Sequence, residues 1–171
     1  MDNIAKNNYV KSQITNALID ILKAKELRDI SISEVTNTAE VSRISFYRNY
    51  SEKEDVLREY IEKSFGNWLT DHNQGRDYTE DEMLGNIFAY LTDNKGFYLL
   101  LSSRNLLYLL KDMIKGICGP KKEYPNFVAY TTAFISNGIY GWIEEWFLRG
   151  MQETGEEMTA LLKSRDLNPN T

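Results

Sequence analysis

Residues 41–50 read VSRISFYRNY. Two arginines, two tyrosines, an asparagine and two serines stand together with no acid among them, in a chain whose net charge is −5. Guanidinium groups bind phosphate oxygens and chelate guanine O6 and N7, and hydroxyls and amides donate to either. The chemistry on offer is recognition of a nucleic acid, and a carboxylate here would be repelled by it. The candidate contacts are Ser31, Ser42, Arg43, Ile44, Ser45, Tyr47, Arg48, Asn49 and Lys53. Arg43 is placed to read a guanine and Ile44 to touch a thymine methyl. Ser45 serves a base or a phosphate, Tyr47 and Arg48 grip the backbone, Asn49 does either, and Lys53 adds a phosphate contact. Taken alone, an arginine-rich turn is ordinarily a solvated face, so the surrounding elements must decide.

Those elements read as helices. Val10, Ile14, Ala17, Leu18, Ile21 and Leu22 recur at three- and four-residue steps and predict a helix over about 6–25. Three starts follow closely: Ser31 with Glu34, Ser42, and Ser51 with Glu54. Ser-x-x-Glu is the capping-box pattern. Two very short helices, over 31–41 and 42–49, should therefore precede a longer one running to about Thr70. Two short helices on a tight turn, buttressed by a third, make a helix-turn-helix whose second helix enters the major groove. Val35, Ala39, Val41 and Phe46 supply its apolar underside.

Downstream, the polar stretch containing Gly75 reads as a loop, Thr79 as a cap for a helix over about 80–93, and 97–118 as one kinked helix or two jointed at 102–105. Gly119, Pro120 and Pro125 make the clearest break. Residues 126–150 form a helix apolar on nearly all sides, which predicts packing within its own core and against another copy. A short helix closes the chain. The expected fold is all-α with about nine helices: a helix-turn-helix domain at 1–52 and a helical ligand-binding and dimerisation domain at 53–171.

Composition limits the function classes. Residues 1–60 hold nine Lys/Arg against ten Asp/Glu, so DNA binding must work through a local patch. Cys118 is the only cysteine and His72 the only histidine. There is no Gly-rich phosphate loop, paired Cys/His spacing or nucleophile motif, so neither an enzyme nor a cofactor is expected. No apolar stretch reaches the roughly 20 residues of a membrane span, and no secretory leader is visible. A cytoplasmic protein is expected.

Residues 30–57, ISISEVTNTAEVSRISFYRNYSEKEDVL, resemble the helix-turn-helix signature of the TetR family of transcriptional regulators, through Ala39, Val41, Ser42, Phe46, Tyr47, Tyr50, Lys53 and Leu57. The C-terminal stretch GIYGWIEEWFLRGMQETGEEM is similar to a subgroup resembling the regulators of dihydroxyacetone utilisation. One residue departs from the signature: Glu40 stands where glycine is usual. Either Glu40 takes a left-handed backbone at a cost of about 1 kcal/mol, or the turn differs.

The resemblance implies a homodimer on near-palindromic double-stranded DNA, probing two half-sites about 34 Å apart, most simply as a repressor. It implies a dimer interface from 126–150 and 154–164, with Asn137, Gly138, Gly141, Trp142, Glu145, Met158, Leu161 and Leu162 as candidates. It also implies a small apolar effector, for which Phe88, Tyr98, Tyr108, Met113, Phe134 and Trp142 are the candidate pocket. The competing readings are a regulator acting through a protein partner, and an all-α enzyme or ligand-binding bundle that does not touch DNA.

Overall fold

The start of each short helix has a local cause. In the computed structural model, which describes residues 3–73 and 80–164, Ser31 Oγ accepts from the Glu34 amide and Ser42 Oγ from the Ser45 amide, each at 3.1 Å. They open α2 (Ile32–Thr38) and α3 (Arg43–Asn49). Ahead of them lie α1 (Asn3–Leu22) and a 3-10 turn at Leu27–Asp29; behind them comes α4 (Lys53–Asn73). The expected Ser51/Glu54 cap is replaced by a different one. Helix α4 starts one residue later than that pattern requires, and Asp55 Oδ2 reaches back to the amides of Ser51 and Glu52, both at 3.0 Å.

The body consists of α5 (Glu80–Asp93), α6 (Lys95–Ser103), α7 (Tyr108–Cys118), α8 (Asn126–Leu148) and α9 (Gly155–Ser164). The stretch 97–118 is thus two helices jointed near the anticipated position. Helix α9 opens on a reciprocal capping box: Thr154 Oγ1 accepts from the Glu157 amide at 3.1 Å, and Glu157 Oε2 from the Thr154 amide at 2.7 Å. Gly75, Thr79 and the His72 side chain lie outside the described residues. All regular structure among the described residues is helical, as the sequence predicts.

Three helices end in the same left-handed hook. After α2, the Glu40 amide donates to Asn37 O and the Val41 amide to Thr36 O. Asn105 follows α6 in the same way, with Asn105 to Ser102 O and Leu106 to Leu101 O; Gly150 follows α8, with Gly150 to Phe147 O and Met151 to Trp146 O. This is the 6→1 and 5→2 pairing of the Schellman motif. Glu40 has φ 53°, so of the two alternatives the first holds. Replacing Glu40 with Gly should stabilise the protein by about 1 kcal/mol and raise its Tm by roughly 2–4 °C in a thermal melt.

Two cores share α4. In the head, Ile14, Leu18, Leu22, Val35, Phe46, Val56 and Leu57 are completely buried, and Val41 packs against them half-buried. In the body, Phe65, Phe88, Tyr90, Tyr98, Trp146 and Phe147 make an aromatic core of tilted and edge-on pairs with ring centroids 5.0–6.0 Å apart. Its polar hydroxyls bond in a chain: Tyr98 donates to Tyr90 at 2.9 Å, and Tyr90 to Ser64 at 2.8 Å. Helix α9 packs on α5, and α8 on α7. No helix among the described residues is long and apolar enough to cross a membrane.

Candidate nucleic-acid interface

Helix α3 is short because Ser42 starts it and extended backbone at Tyr50 stops it. Its inner face is held by Phe46, fully buried, with Tyr47 edge-on to that ring at 5.6 Å and Tyr50 tilted at 5.8 Å. That anchoring turns the other side outward. Ile44 is 73% exposed and Tyr47 53%, large values for apolar side chains. Ser42, Arg43 and Arg48 are exposed beside them, and Ser45 and Asn49 are half-buried. Arg43 and Arg48 have no ion pair or hydrogen bond among the described residues, so both guanidiniums are available. Ser42 and Ser45 hydroxyls bond each other at 2.9 Å, and the Asn49 amide donates to Ser45 O at 2.9 Å. Ser31 is exposed at the start of α2, on a separate element.

Lys53 departs from its expected role. Its ammonium donates to the carbonyls of Leu27 and Ile30 and so terminates the 3-10 turn. It is half-buried, with two of its three N–H donors engaged, and it ties the start of α4 to the 3-10 turn and the residue after it.

A supporting network escaped the sequence reading. Glu59 on α4 accepts from Tyr50 at 2.6 Å, Lys11 at 2.8 Å and Lys63 at 2.5 Å, and the Lys11 ammonium sits 5.3 Å from the Tyr50 ring centre. One carboxylate thereby joins α1, the end of α3 and α4. No local motif announces it, because Lys11 and Glu59 lie 48 residues apart. Burial disfavours the carboxylate, but hydrogen bonds from Lys11, Lys63 and Tyr50 outweigh it and bring the Glu59 pKa to about 2. Burial first, and then the bond to Glu59, push the Tyr50 phenol far above its ordinary value. A depressed carboxylate stabilises the fold above its unfolded pKa near 4.5 and loses that contribution as pH falls toward 2. Glu59→Gln should therefore cost about 1–3 kcal/mol at pH 7, with the gap to wild type closing between pH 4.5 and pH 2 in urea titrations. Beside this network a shallow cleft of about 330 Å³ is lined by Lys11, Tyr47, Arg48, Asn49 and Glu59, among others.

The candidates in the body do not form one lining. Phe88, Tyr98 and Met113 are buried in the core and Trp142 is half-buried, but Tyr108 is 44% exposed and Phe134 81%. Those last two face outward, because their helices bury the opposite side, and they leave the pocket set. Of the interface candidates, Asn137, Gly138, Gly141, Glu145 and Leu161 are exposed, and Trp142 and Leu162 half-buried. A Cβ added at Gly138 or Gly141 would meet nothing within 4 Å, so neither glycine relieves crowding inside the chain. Met158 is the exception: it is buried in the chain's own core and leaves the outward set. Cys118 is half-buried at the end of α7, its thiol directed at Ile114 O. Among the described residues no three His, Cys, Asp or Glu side chains are grouped to hold a metal ion.

Residues 78–164, just over half of the chain, match the family profile for the C-terminal region of TetR-type transcriptional regulators. The chain belongs to the TetR family. A TetR-type transcriptional regulator from Streptococcus agalactiae shares the fold at a TM-score of 0.55 and 24% identity, covering 94% of this chain and 93% of that one. The crystal structure of Lin0861 from Listeria innocua superposes at a TM-score of 0.74 with 14% identity, over 96% of this chain and 92% of its own. The HTH-type dhaKLM operon transcriptional activator of Lactococcus lactis is 25% identical over 96 residues, 56% of this chain. The chain thus spans half the length of that relative.

Proposed function

We propose that this TetR-family member is a dimeric, sequence-specific DNA-binding regulator that works in the cytoplasm on a near-palindromic operator. The head, residues 1–52, reads the duplex; residues 53–171 dimerise and receive a small apolar effector. The observation that carries the reading is the outward face of α3, free of acids, with Arg43, Ile44, Tyr47 and Arg48 exposed around an anchored Phe46. Arg43 stands at the first turn, where a guanidinium reaches a base edge, while Tyr47, Arg48 and the capped start of α3 meet phosphates. Operator occupancy represses by excluding polymerase. An effector acts by preferring a dimer whose two heads are wrongly spaced.

A second reading has one observation in its favour: the relative from Lactococcus lactis is described as an activator. A promoter fusion to a reporter gene separates the two, since deletion of the regulator raises expression under repression and lowers it under activation. The DNA-binding claim itself is tested by selecting duplexes from a random library with the wild-type protein and repeating the selection with Arg43→Ala. The variant should lose about 1–3 kcal/mol of discrimination at one position of each half-site. Identical selected sequences from both proteins would remove Arg43 from base reading.

A further inference from the structure

We infer that Arg104 is a positioning residue for operator recognition: it fixes the tilt of the reading head against the body, an inference that rests on the DNA-binding reading above. Arg104 lies in the turn between α6 and α7, far in sequence from the head. Its Nε donates to Leu22 O at 2.8 Å, its Nη2 to Lys23 O at 2.7 Å, and its Nη1 to Glu26 Oε1 at 3.1 Å. The first two are carbonyls at the C-terminal end of α1, where helix groups lack partners and a cation is favoured by the dipole. One planar guanidinium thus closes the end of the head's longest helix from the body side.

The turn that presents it is itself fixed. Arg104 is the last cap of α6, its amide bonded to Leu100 O and Leu101 O, and Asn105 follows with φ 57°. Leu106 and Leu107 behind it are buried. The head also joins the body through α4, a rod of 21 residues against which α1 packs and which Glu59 ties to Lys11 and Tyr50. Arg104 adds an attachment of a different kind, from the α6–α7 turn to the far end of α1, which resists rotation of the head about that rod. A two-headed reader depends on that, because both recognition helices must meet half-sites at one fixed separation.

The test uses the full-length protein and a duplex recovered from a random library by the wild type, remade with its central spacer lengthened or shortened by one or two base pairs. Wild type should bind sharply best at the native spacer. Arg104→Ala should bind a single half-site within about twofold of wild type, lose roughly tenfold on the native operator, and show a flattened spacer profile. Arg104→Lys keeps the charge but not the three-pronged geometry, and should flatten the profile partway. It also decides the matter if Arg104→Ala does not fold. Wild-type spacer profiles in the folded variants would overturn the inference, since a merely stabilising contact leaves spacing preference intact. A wild-type protein that recovers no duplex overturns the DNA-binding reading, and this inference with it.

Discussion

Phe134→Asp should convert the proposed dimer to a monomer in sedimentation velocity and weaken operator binding by roughly a hundredfold or more. The expectation comes from one side of α8. Phe127 is 81% exposed, Tyr130 72% and Phe134 81%, and with Gly138 and Gly141 they recur at three- and four-residue steps along a single stripe, which exposed Glu145 continues toward Leu148, 70% exposed. A stripe of large apolar side chains left in water marks an interaction surface. The two glycines, with open space where a Cβ would be, would let a second helix approach closely in the proposed dimer. A charge introduced at its centre has to be buried without a partner, and that costs several kcal/mol. Because Phe134 touches mostly solvent within one chain, each subunit should keep its helical circular dichroism. Operator affinity falls because the second half-site is no longer held near the first. A dimer that survives the substitution would place the interface elsewhere.

Phe46→Ala should destabilise the head by about 3–5 kcal/mol, read as a lower urea midpoint. The ring is completely buried under α3 and contacts Tyr47 and Tyr50. Removing it leaves a cavity beneath a helix of only seven residues, which cannot hold itself in water without tertiary packing. Given total stabilities of roughly 5–15 kcal/mol, the head should lose much of its order near 37 °C. DNA binding should disappear although Phe46 touches no base. A variant that binds and melts as wild type does would mean that α3 is not anchored by this ring.

Much of the fold is legible in the sequence because its signals are local. Ser31 and Ser42 announce their helices by hydroxyls that cap three residues ahead, and Pro125 marks the start of α8. Glu40 is informative through its cost: an acidic residue stands where the hook requires positive φ, and the backbone adopts it. The misreadings come from forces that are not local. At α4 the carboxylate of Asp55 competes with the Ser51 pattern, and spacing alone does not say which carboxylate reaches back. Lys53 reads as a phosphate ligand until Leu27 and Ile30 are folded beneath it. Phe134 reads as pocket lining because an all-round apolar helix gives no hint of which side its own chain covers. The joining of Lys11, Tyr50 and Glu59 depends on three helices meeting, and no spacing in the chain encodes it.

The central claim is that two copies of α3 are presented together to one face of a duplex. Hydroxyl-radical footprinting of the selected operator tests it most directly. Two protected patches are expected, related by a two-fold axis and centred about one helical turn, near 34 Å, apart, both lost with Phe46→Ala. A single patch, or protection without two-fold symmetry, would contradict it.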